Sequence, residues 1–339
     1  MKKTAYILAV IASFIGPDLK AQSIHFSQYY NAPLLDNPAN TALMPDHDYR
    51  LGVNFRSQWA SIPVPYNTSS AYGDFSLFKN GNSNNWLGLG GAFFSDKAGD
   101  GNLALTKIQG FAAYHLSLSK VSMISAGLSF GSVQRSVNFE NLTFDQQWDG
   151  FSFNSSLPNG EKGYVAKTSY YTVGTGINYA YFPADNFYLS VGAGLENVNQ
   201  PRESFYNQSN NLGMRPSVNV DLIRRMGDRF IINPSVYFAT QKGASELVVG
   251  SLFRVYVGGK DENNTEVVFG AFDRLNESII GAVGIHWSNI QVMASYDFTT
   301  SQLATYNSGF GAMEFSVVYT GLYPSAAADK KYYNCPRFF

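Results

Sequence analysis

The stretch that decides the fold runs Tyr49-Arg50-Leu51-Gly52-Val53-Asn54-Phe55-Arg56. Its apolar side chains stand at every second position, and charged, polar or glycine residues separate them. Successive side chains of a β-strand point to opposite faces, so this period of two predicts a strand with one apolar and one polar face. The same alternation returns along the chain at Phe187-Leu189-Val191-Ala193-Leu195, Val218-Val220-Leu222 and Ile290-Val292-Ala294-Tyr296-Phe298.

About fourteen segments of this kind are predicted, each near the ~10 residues that cross a bilayer as a barrel strand. They lie at 48–58, 70–79, 85–95, 103–116, 120–133, 168–181, 186–197, 214–226, 229–239, 246–258, 265–273, 277–287, 289–300 and 311–321. Strands four and eleven alternate poorly, and Pro234 interrupts strand nine. An even number of strands fits a closed antiparallel barrel.

The connections between these segments alternate in length. Short polar turns follow the even-numbered strands, and longer connections, above all 134–167 and 198–213, follow odd-numbered ones. Short periplasmic turns and long outer loops are typical of outer-membrane barrels. The asymmetry therefore predicts that both termini lie in the periplasm.

The first residues read as a secretory signal peptide. Lys2 and Lys3 precede an apolar core from Tyr6 to Ile15, and Leu19-Lys20-Ala21 is a plausible cleavage site. We therefore divide the chain into a signal peptide at 1–21, an N-terminal periplasmic or plug segment at 22–47, the barrel at 48–321 and a periplasmic tail at 322–339. Outside the signal peptide no apolar run is long enough for a transmembrane helix, so the alternation favours an all-β transmembrane antiparallel barrel.

Composition restricts the function. Charged residues make up 14% of the chain, against roughly 25% in an average soluble domain. The 24 basic and 25 acidic residues nearly cancel, so no electrostatic footprint for nucleic acid is present. Cys335 is the single cysteine, which excludes an intramolecular disulfide and a multi-thiolate metal site.

No motif in the sequence predicts a catalytic, cofactor-binding or metal-binding site. Gly127-Leu128-Ser129-Phe130-Gly131 matches a nucleophile elbow, but it lies within a predicted strand, where that motif needs a strand-to-helix turn. We interpret the glycines of Gly88-Leu89-Gly90-Gly91 and Gly174-Thr175-Gly176 as small residues facing the lumen. The four histidines lack metal-ligand spacing: His25, His47, His115 and His286. We predict no catalytic residue, cofactor or metal, and no enzyme.

Charged side chains on the predicted lumen faces carry both signs. They are Arg50, Arg56, Asp74, Glu196, Asp221, Asp297 and Glu314. We expect these groups to pair with one another or with a plug, because acid–base catalysis needs a defined geometry that spacing across strands does not show.

Two segments outside the barrel pattern carry a resemblance to a known family. The first holds Phe26-Ser27-Gln28-Tyr29 and then Asn37-Pro38-Ala39, and the second holds Cys335-Pro336-Arg337-Phe338. Both resemble motifs of the PorP/SprF family of type IX secretion membrane proteins of Bacteroidetes. The resemblance implies an outer-membrane barrel similar in architecture to FadL-type transporters. It also implies a role in secretion or surface attachment of type IX cargo, including gliding adhesins.

On this resemblance we expect the barrel to bind or anchor the C-terminal domain of a cargo or adhesin, or to contact other parts of the machinery, within outer-membrane lipid. The predicted partner-binding residues are Phe26, Ser27, Gln28, Tyr29, Asn37, Pro38, Ala39, Tyr332, Tyr333, Cys335, Pro336, Arg337 and Phe338. Residues 31–40 fit a plug in the barrel mouth or a periplasmic linker equally well. The tail fits a partner contact or a segment packed under the barrel. A FadL-like channel for hydrophobic small molecules is the alternative function, and an outer-membrane lipase is a more distant one.

Overall fold

The computed structural model describes residues 26–324, apart from 45, 60–64, 80–84, 100, 139–141, 162–163, 207 and 258–264. The predicted signal peptide, residues 22–25 and residues 325–339 of the predicted tail lie outside these residues. The strands are β1 Tyr49–Gln58, β2 Tyr66–Leu77, β3 Trp86–Ala98, β4 Leu103–Ser119, β5 Ser122–Ser136, β6 Lys167–Ala184, β7 Phe187–Glu196, β8 Arg215–Met226, β9 Phe230–Gln241, β10 Ala244–Val257, β11 Thr265–Arg274, β12 Ser278–Trp287, β13 Ile290–Thr299 and β14 Phe310–Gly321. Two single-turn helices are α1 Pro33–Asp36 and α2 Ala304–Asn307.

The fourteen strands close into one antiparallel barrel. Each strand pairs with its neighbours in sequence, and β1 pairs with β14 from Tyr49 opposite Gly321 to Gln58 opposite Ala312. Closure leaves none of the fourteen described strands with an unpaired edge, as a sheet within lipid requires. The predicted fold and all fourteen predicted strands are confirmed, with ends that differ by a few residues.

The two faces of each strand differ as the alternation predicts. On β1, Leu51, Val53 and Phe55 point outward and are 55%, 51% and 48% exposed, whereas Asn54 and Arg56 point inward and are buried. An apolar exterior fits lipid, and the polar interior faces the lumen. Among the described residues, no helix is long and apolar enough to cross a membrane.

The poor alternation of β4 and β11 has a physical cause. Inward-facing Val268 and Phe272 of β11 are apolar because they belong to a hydrophobic cluster with Tyr29. Phe111 of β4 likewise packs in a cluster with Leu34. Tyr29 and Leu34 belong to residues 26–44, which pass through the lumen, so both faces of these strands meet apolar surroundings.

Pro234 does not interrupt β9, which runs unbroken from Phe230 to Gln241. Proline has no backbone N–H, and the ladder between β8 and β9 lacks pairs between Asp221–Ser235 and Arg224–Ile232. The Asn233 amide fills part of this gap by donating a hydrogen bond of 2.9 Å to the Leu222 carbonyl. The strand therefore continues past a residue that cannot donate to the ladder.

The two ends of the barrel differ. We call the end where β1 begins and β14 ends the terminal end, and the opposite one the loop end. The longest connections, 137–166 and 197–214, lie at the loop end. The predicted asymmetry of the connections is therefore confirmed, and which end faces the periplasm stays a prediction.

Candidate functional site: the plugged lumen

Residues 26–44, which we call the plug, pass through the lumen as a chain of tight turns. A 3₁₀ turn at Tyr29–Asn31 leads to α1 and to a second 3₁₀ turn at Pro38–Asn40. Proline suits the first position of a helical turn, and the Asn37 side chain caps the last turn by accepting 2.9 Å from the Ala39 N–H. The segment therefore lies inside the barrel, where it contacts the wall.

The N-terminal part of the plug is fastened by two carboxylates of the wall. Glu314 of β14 accepts hydrogen bonds from the backbone N–H groups of Ser27, at 2.8 Å, and Gln28, at 2.9 Å. The Ser27 hydroxyl also donates 2.6 Å to Asp297 of β13. These groups are buried, and hydrogen bonds to a charged acceptor are stronger than neutral ones.

Two arginines complete this ion cluster. Arg56 of β1 contacts Asp297 at 2.9 Å and Glu314 at 3.2 Å, and it donates to the Ser27 hydroxyl. Arg274 of β11 contacts Asp297 at 3.2 Å and donates 2.9 Å to the same hydroxyl. Removing one member of a buried pair costs about 3–5 kcal/mol, because its partner keeps an uncompensated charge. The cluster therefore ties the plug to strands that lie far apart in sequence.

The Asn37-Pro38-Ala39 turn rests on a floor of glycines. A side chain at Gly127 of β5 would overlap the Pro38 backbone, and one at Gly176 of β6 would overlap the Asn37 amide. The Asn37 amide donates 3.0 Å to the Ile177 carbonyl. The glycines thus allow the plug backbone to lie directly against the wall.

The plug ends in a second polar anchor near the terminal end. His115 Nε2 donates 2.8 Å to the Thr41 carbonyl. The Ala42 N–H donates 2.6 Å to Asp74, and the Trp86 indole N–H donates 2.9 Å to the Ala42 carbonyl. Both backbone groups of Ala42 are therefore satisfied by the wall.

Tyr29 joins the plug to the apolar part of the lumen. Its ring stacks on Tyr237 with centroids 5.1 Å apart, and its hydroxyl is 2.6 Å from the Ser235 hydroxyl. Burial raises the pKa of Tyr29 above its ordinary value, so the phenol stays neutral and acts as a hydrogen-bonding group.

Among the described residues, a cavity lies on each side of the plug. The loop cavity, of about 320 Å³, lies at the loop end, and the terminal cavity, of about 200 Å³, lies at the terminal end. Tyr29 and Asp36 of the plug line both. The plug is therefore the partition between them.

The predicted pairing of the lumen charges is confirmed for most of the named groups. Arg50 contacts Asp74 at 2.6 Å, and Glu196 contacts Lys107 at 3.0 Å. Arg56, Asp297 and Glu314 form the ion cluster with the plug. Asp221 differs, because it accepts its hydrogen bond from the neutral Asn219 amide, at 2.9 Å, and not from a cation.

The predicted partner-binding residues fall into two groups. Phe26, Ser27, Gln28, Tyr29, Asn37, Pro38 and Ala39 are all buried in the lumen, where they contact the wall. A partner would reach them only after the plug moved, and their role as partner contacts stays a prediction. Tyr332, Tyr333, Cys335, Pro336, Arg337 and Phe338 lie outside the described residues.

Two groups of site residues do not follow from the sequence patterns. Arg274 lies one residue beyond the predicted end of strand eleven, and the alternation that marks lumen positions is weak in that strand. The sequence indicates Gly176 only as a small residue facing the lumen and Gly127 only as part of a motif match. Their contact with the plug backbone depends on segments that are distant in sequence. Only the signal of inward-facing glycines on neighbouring strands could have indicated a close approach.

The Gly127–Gly131 match to a nucleophile elbow and the possible metal ligands can be checked against the structure. Ser129 of the Gly127–Gly131 motif lies inside β5 and accepts 3.1 Å from the Gln109 amide, so the interpretation of this motif as part of a strand is confirmed. Within the part of the chain that the structure describes, no three His, Cys, Asp or Glu side chains could hold a metal ion together.

Comparisons with known proteins give the family. The family model of the type IX secretion system membrane protein PorP/SprF matches residues 18–319. A comparison with curated proteins found no match. The chain is similar to the solved structure of the P. putida toluene transporter TodX, with 10% identity, a TM-score of 0.49 and coverage of 86% of this chain and 94% of that one. It is also similar to a Pseudomonas aeruginosa FadL homologue, with 9% identity, a TM-score of 0.48 and coverage of 86% and 94%.

Proposed function

The chain belongs to the PorP/SprF family of type IX secretion system membrane proteins, and we propose that it is a plugged outer-membrane barrel that binds or anchors secreted cargo. In this function the barrel carries out no reaction of its own. Its loop end faces outward and contacts the C-terminal domain of a cargo or adhesin. Its terminal end faces the periplasm and contacts the secretion machinery.

The observation that carries this proposal is the fastening of the plug. Ser27 and Gln28 are bonded through their backbone to Glu314, and Asn37–Ala39 lies on the glycine floor. A lumen closed in this way supports a binding role over a role as a channel for hydrophobic molecules. The loop cavity is also lined by charged groups, including Lys107, Arg135 and Glu196, which an apolar passage would not contain.

The best candidate surface for cargo is an aromatic hairpin in the 137–166 loop. Trp148 and Phe153 form a β-bridge, and Phe151 at its tip is 94% exposed. Asp149 orders the turn by accepting from the N–H groups of Ser152, at 2.7 Å, and Phe151, at 2.8 Å. These hydrogen bonds lower the pKa of Asp149, so the carboxylate stays charged.

An exposed aromatic side chain on an ordered turn has the properties of an interface anchor, because little conformational freedom is lost when it is covered. The hairpin is therefore the first surface to test. Affinity purification of the tagged barrel from cross-linked outer membranes would measure the cargo that is retained. We expect the double variant Trp148→Ser, Phe151→Ser to retain at least about tenfold less cargo than the native barrel.

The matched control is Tyr306→Ser, which removes another aromatic side chain at the loop end that is 88% exposed. The control variant should retain cargo at the native level. Equal retention by all three proteins would remove the hairpin from the interface. Purification of the native barrel with bound lipid and no protein would favour the channel function instead.

A further inference from the structure

The loop cavity is closed on its inner side by the plug. Phe26, Ala32 and Leu35 of the plug line it, and the connections at the loop end contribute Leu212 and Lys242. Its volume of about 320 Å³ lies at the lower end of the range of small-molecule sites, roughly 300–1,000 Å³. An occupant that enters from the loop end meets the plug, so the cavity suits the end of a chain better than a chain that passes through.

One side of this cavity is apolar. The Phe26 and Phe94 rings meet edge to face with centroids 5.9 Å apart, and both side chains are buried. Leu35 and Leu105 pack against this pair, and Val133 also lines the cavity. This side therefore suits an apolar side chain, which is stabilised when it leaves water.

The other side carries an excess of positive charge. The four cations that line the cavity are Lys107, Arg135, Arg215 and Lys242, and the three acids are Asp36, Glu196 and Glu203. Lys107, at 3.0 Å, and Arg215, at 3.5 Å, contact the same carboxylate, Glu196, whereas Arg135 has Glu203 as its own partner. One negative charge therefore serves two cations at Glu196. Because a buried charge without compensation is costly, this group favours an anionic occupant.

A buried hydroxyl adds a polar contact. Thr172 of β6 lines the cavity and is 3% exposed, and among the described residues its hydroxyl has no hydrogen-bond partner. Buried polar groups are normally paired, so this hydroxyl indicates a polar group of an occupant. A peptide supplies N–H and C=O groups next to its terminal carboxylate, whereas the hydrocarbon chain of a fatty acid supplies none.

We propose that the loop cavity binds the C-terminal residue of a secreted cargo. The apolar side chain of that residue lies against Phe26 and Phe94, and its free carboxylate lies at Lys107 and Arg215. The Thr172 hydroxyl pairs with a peptide group near the chain end. This inference rests on the proposed function, because it names the part of the cargo that the barrel holds.

The test uses the purified full-length barrel in phosphatidylcholine nanodiscs and the peptide Gly-Ser-Gly-Ser-Leu with fluorescein on its N-terminus. Fluorescence anisotropy measures the Kd. The free acid should bind at least about tenfold more tightly than the same peptide with an amidated C-terminus, because hydrogen bonds to a charged group are stronger than neutral ones. Replacing the terminal leucine by serine should weaken binding about tenfold, because the apolar contact is lost.

The barrel variant Lys107→Met removes the excess cation and leaves Glu196 paired with Arg215. It should bind the free acid at least about tenfold more weakly than the native barrel and bind the amide equally. The matched control is Lys97→Met, which changes an exposed lysine near the loop end of β3 and should leave both affinities unchanged. Conversion of the folded to the unfolded band on heating in a gel checks that each barrel is folded. Should Lys107→Met fail to fold, the comparison of acid and amide on the native barrel is decisive by itself.

Equal affinities of the native barrel for the acid and the amide would overturn the inference, and so would an unchanged affinity of a folded Lys107→Met variant for the acid. Sodium octanoate is added as a competitor. Binding of octanoate about tenfold tighter than that of the peptide would assign the cavity to a free carboxylic acid, and would also overturn the inference. These measurements need no cargo, so a native barrel that retains cargo but does not prefer the acid would reject this inference and leave the proposed function standing.

Discussion

At the scale of single residues, the contact between Gly127 and Pro38 allows the plug to be tested alone. Gly127→Ala places a methyl group where the Pro38 backbone lies, and such overpacking costs about 1–3 kcal/mol. We expect the plug to loosen, so that the variant shows ion conductance in planar bilayers where the native barrel is closed. Gly110→Ala is the control, because the added carbon would come no closer than 4.0 Å to a neighbouring atom. Equal conductance of both variants would contradict a role of Gly127 in seating the plug.

The variant Glu314→Gln tests the hydrogen bonds that hold the N-terminal part of the plug. Glu314→Gln keeps one oxygen acceptor for two backbone N–H groups, Ser27 and Gln28, and it removes a charge beside Arg56. We expect the loss of a buried ionic partner to destabilise the folded barrel by about 3–5 kcal/mol. The temperature at which the folded gel band disappears should therefore fall. Asp228→Asn in an exposed turn should leave that temperature unchanged, and an equal fall in both variants would contradict the argument.

Residue by residue, the sequence predicted the lumen groups that a strong alternation marks. Arg56 and Glu314 lie on strands with a clear period of two, and they form the ion cluster that the structure contains. Arg274 belongs to the same cluster but lies in β11, where inward Val268 and Phe272 are apolar because the plug covers them. A local pattern cannot reveal a contact whose cause is a segment more than 200 residues away in sequence.

At the scale of one strand, β7 separates the lipid face from the lumen face at adjacent positions. Val191 is 41% exposed on the outer face, and Ser190 is buried on the inner one. An arginine near the membrane midplane of a barrel costs about 2–4 kcal/mol, so Val191→Arg should lower the amount of folded barrel in the outer membrane. Ser190→Arg should be better tolerated, because its side chain enters the terminal cavity opposite Asp221. Equal loss at both positions would contradict the assignment of the two faces.

Most strands could be predicted because each carries its own signal of period two, which is weak only in β4 and β11. The sequence predicted residues 31–40 as either a plug or a periplasmic linker. It could not decide between them, because proline and asparagine favour tight turns in both places. What places Asn37-Pro38-Ala39 in the lumen is the floor of Gly127 and Gly176, and no spacing within residues 26–44 contains that information. The continuity of β9 through Pro234 likewise depends on the Asn233 side chain, which donates to the Leu222 carbonyl.

At the scale of the whole molecule, the orientation in the membrane can be tested with protease and a thiol reagent. The 137–166 connection contains a continuous exposed stretch around Phe151, and exposed loop tips are the preferred sites of proteolysis. With the loop end outside, protease added to intact cells should cut this connection. Cys335 should then react with an impermeant maleimide only after the outer membrane is permeabilised. Labelling of Cys335 in intact cells would contradict this orientation and would indicate that the terminal end faces outward.

The barrel and the segment that follows it can be tested separately by truncation. Truncation after Tyr323 keeps the whole β1–β14 ladder, which ends at Tyr49 opposite Gly321, and it keeps the Tyr323 contacts with Asp48 and Ser76. Because barrel closure needs only the pairing of the first and last strands, we expect the truncated protein to insert and to give a native folded band on gels.

We expect the same truncation to reduce the secreted or surface-retained cargo, since it removes Tyr332, Tyr333, Arg337 and Phe338, which are of residue types common at interface hot spots. A full-length chain in which Tyr332, Tyr333, Arg337 and Phe338 are replaced by serine keeps the chain length, and it should lose cargo to the same extent. Normal folding with a full level of cargo would exclude the tail from function. Failure to fold would instead give the tail a structural role, because the strands alone would then be insufficient to hold the barrel closed.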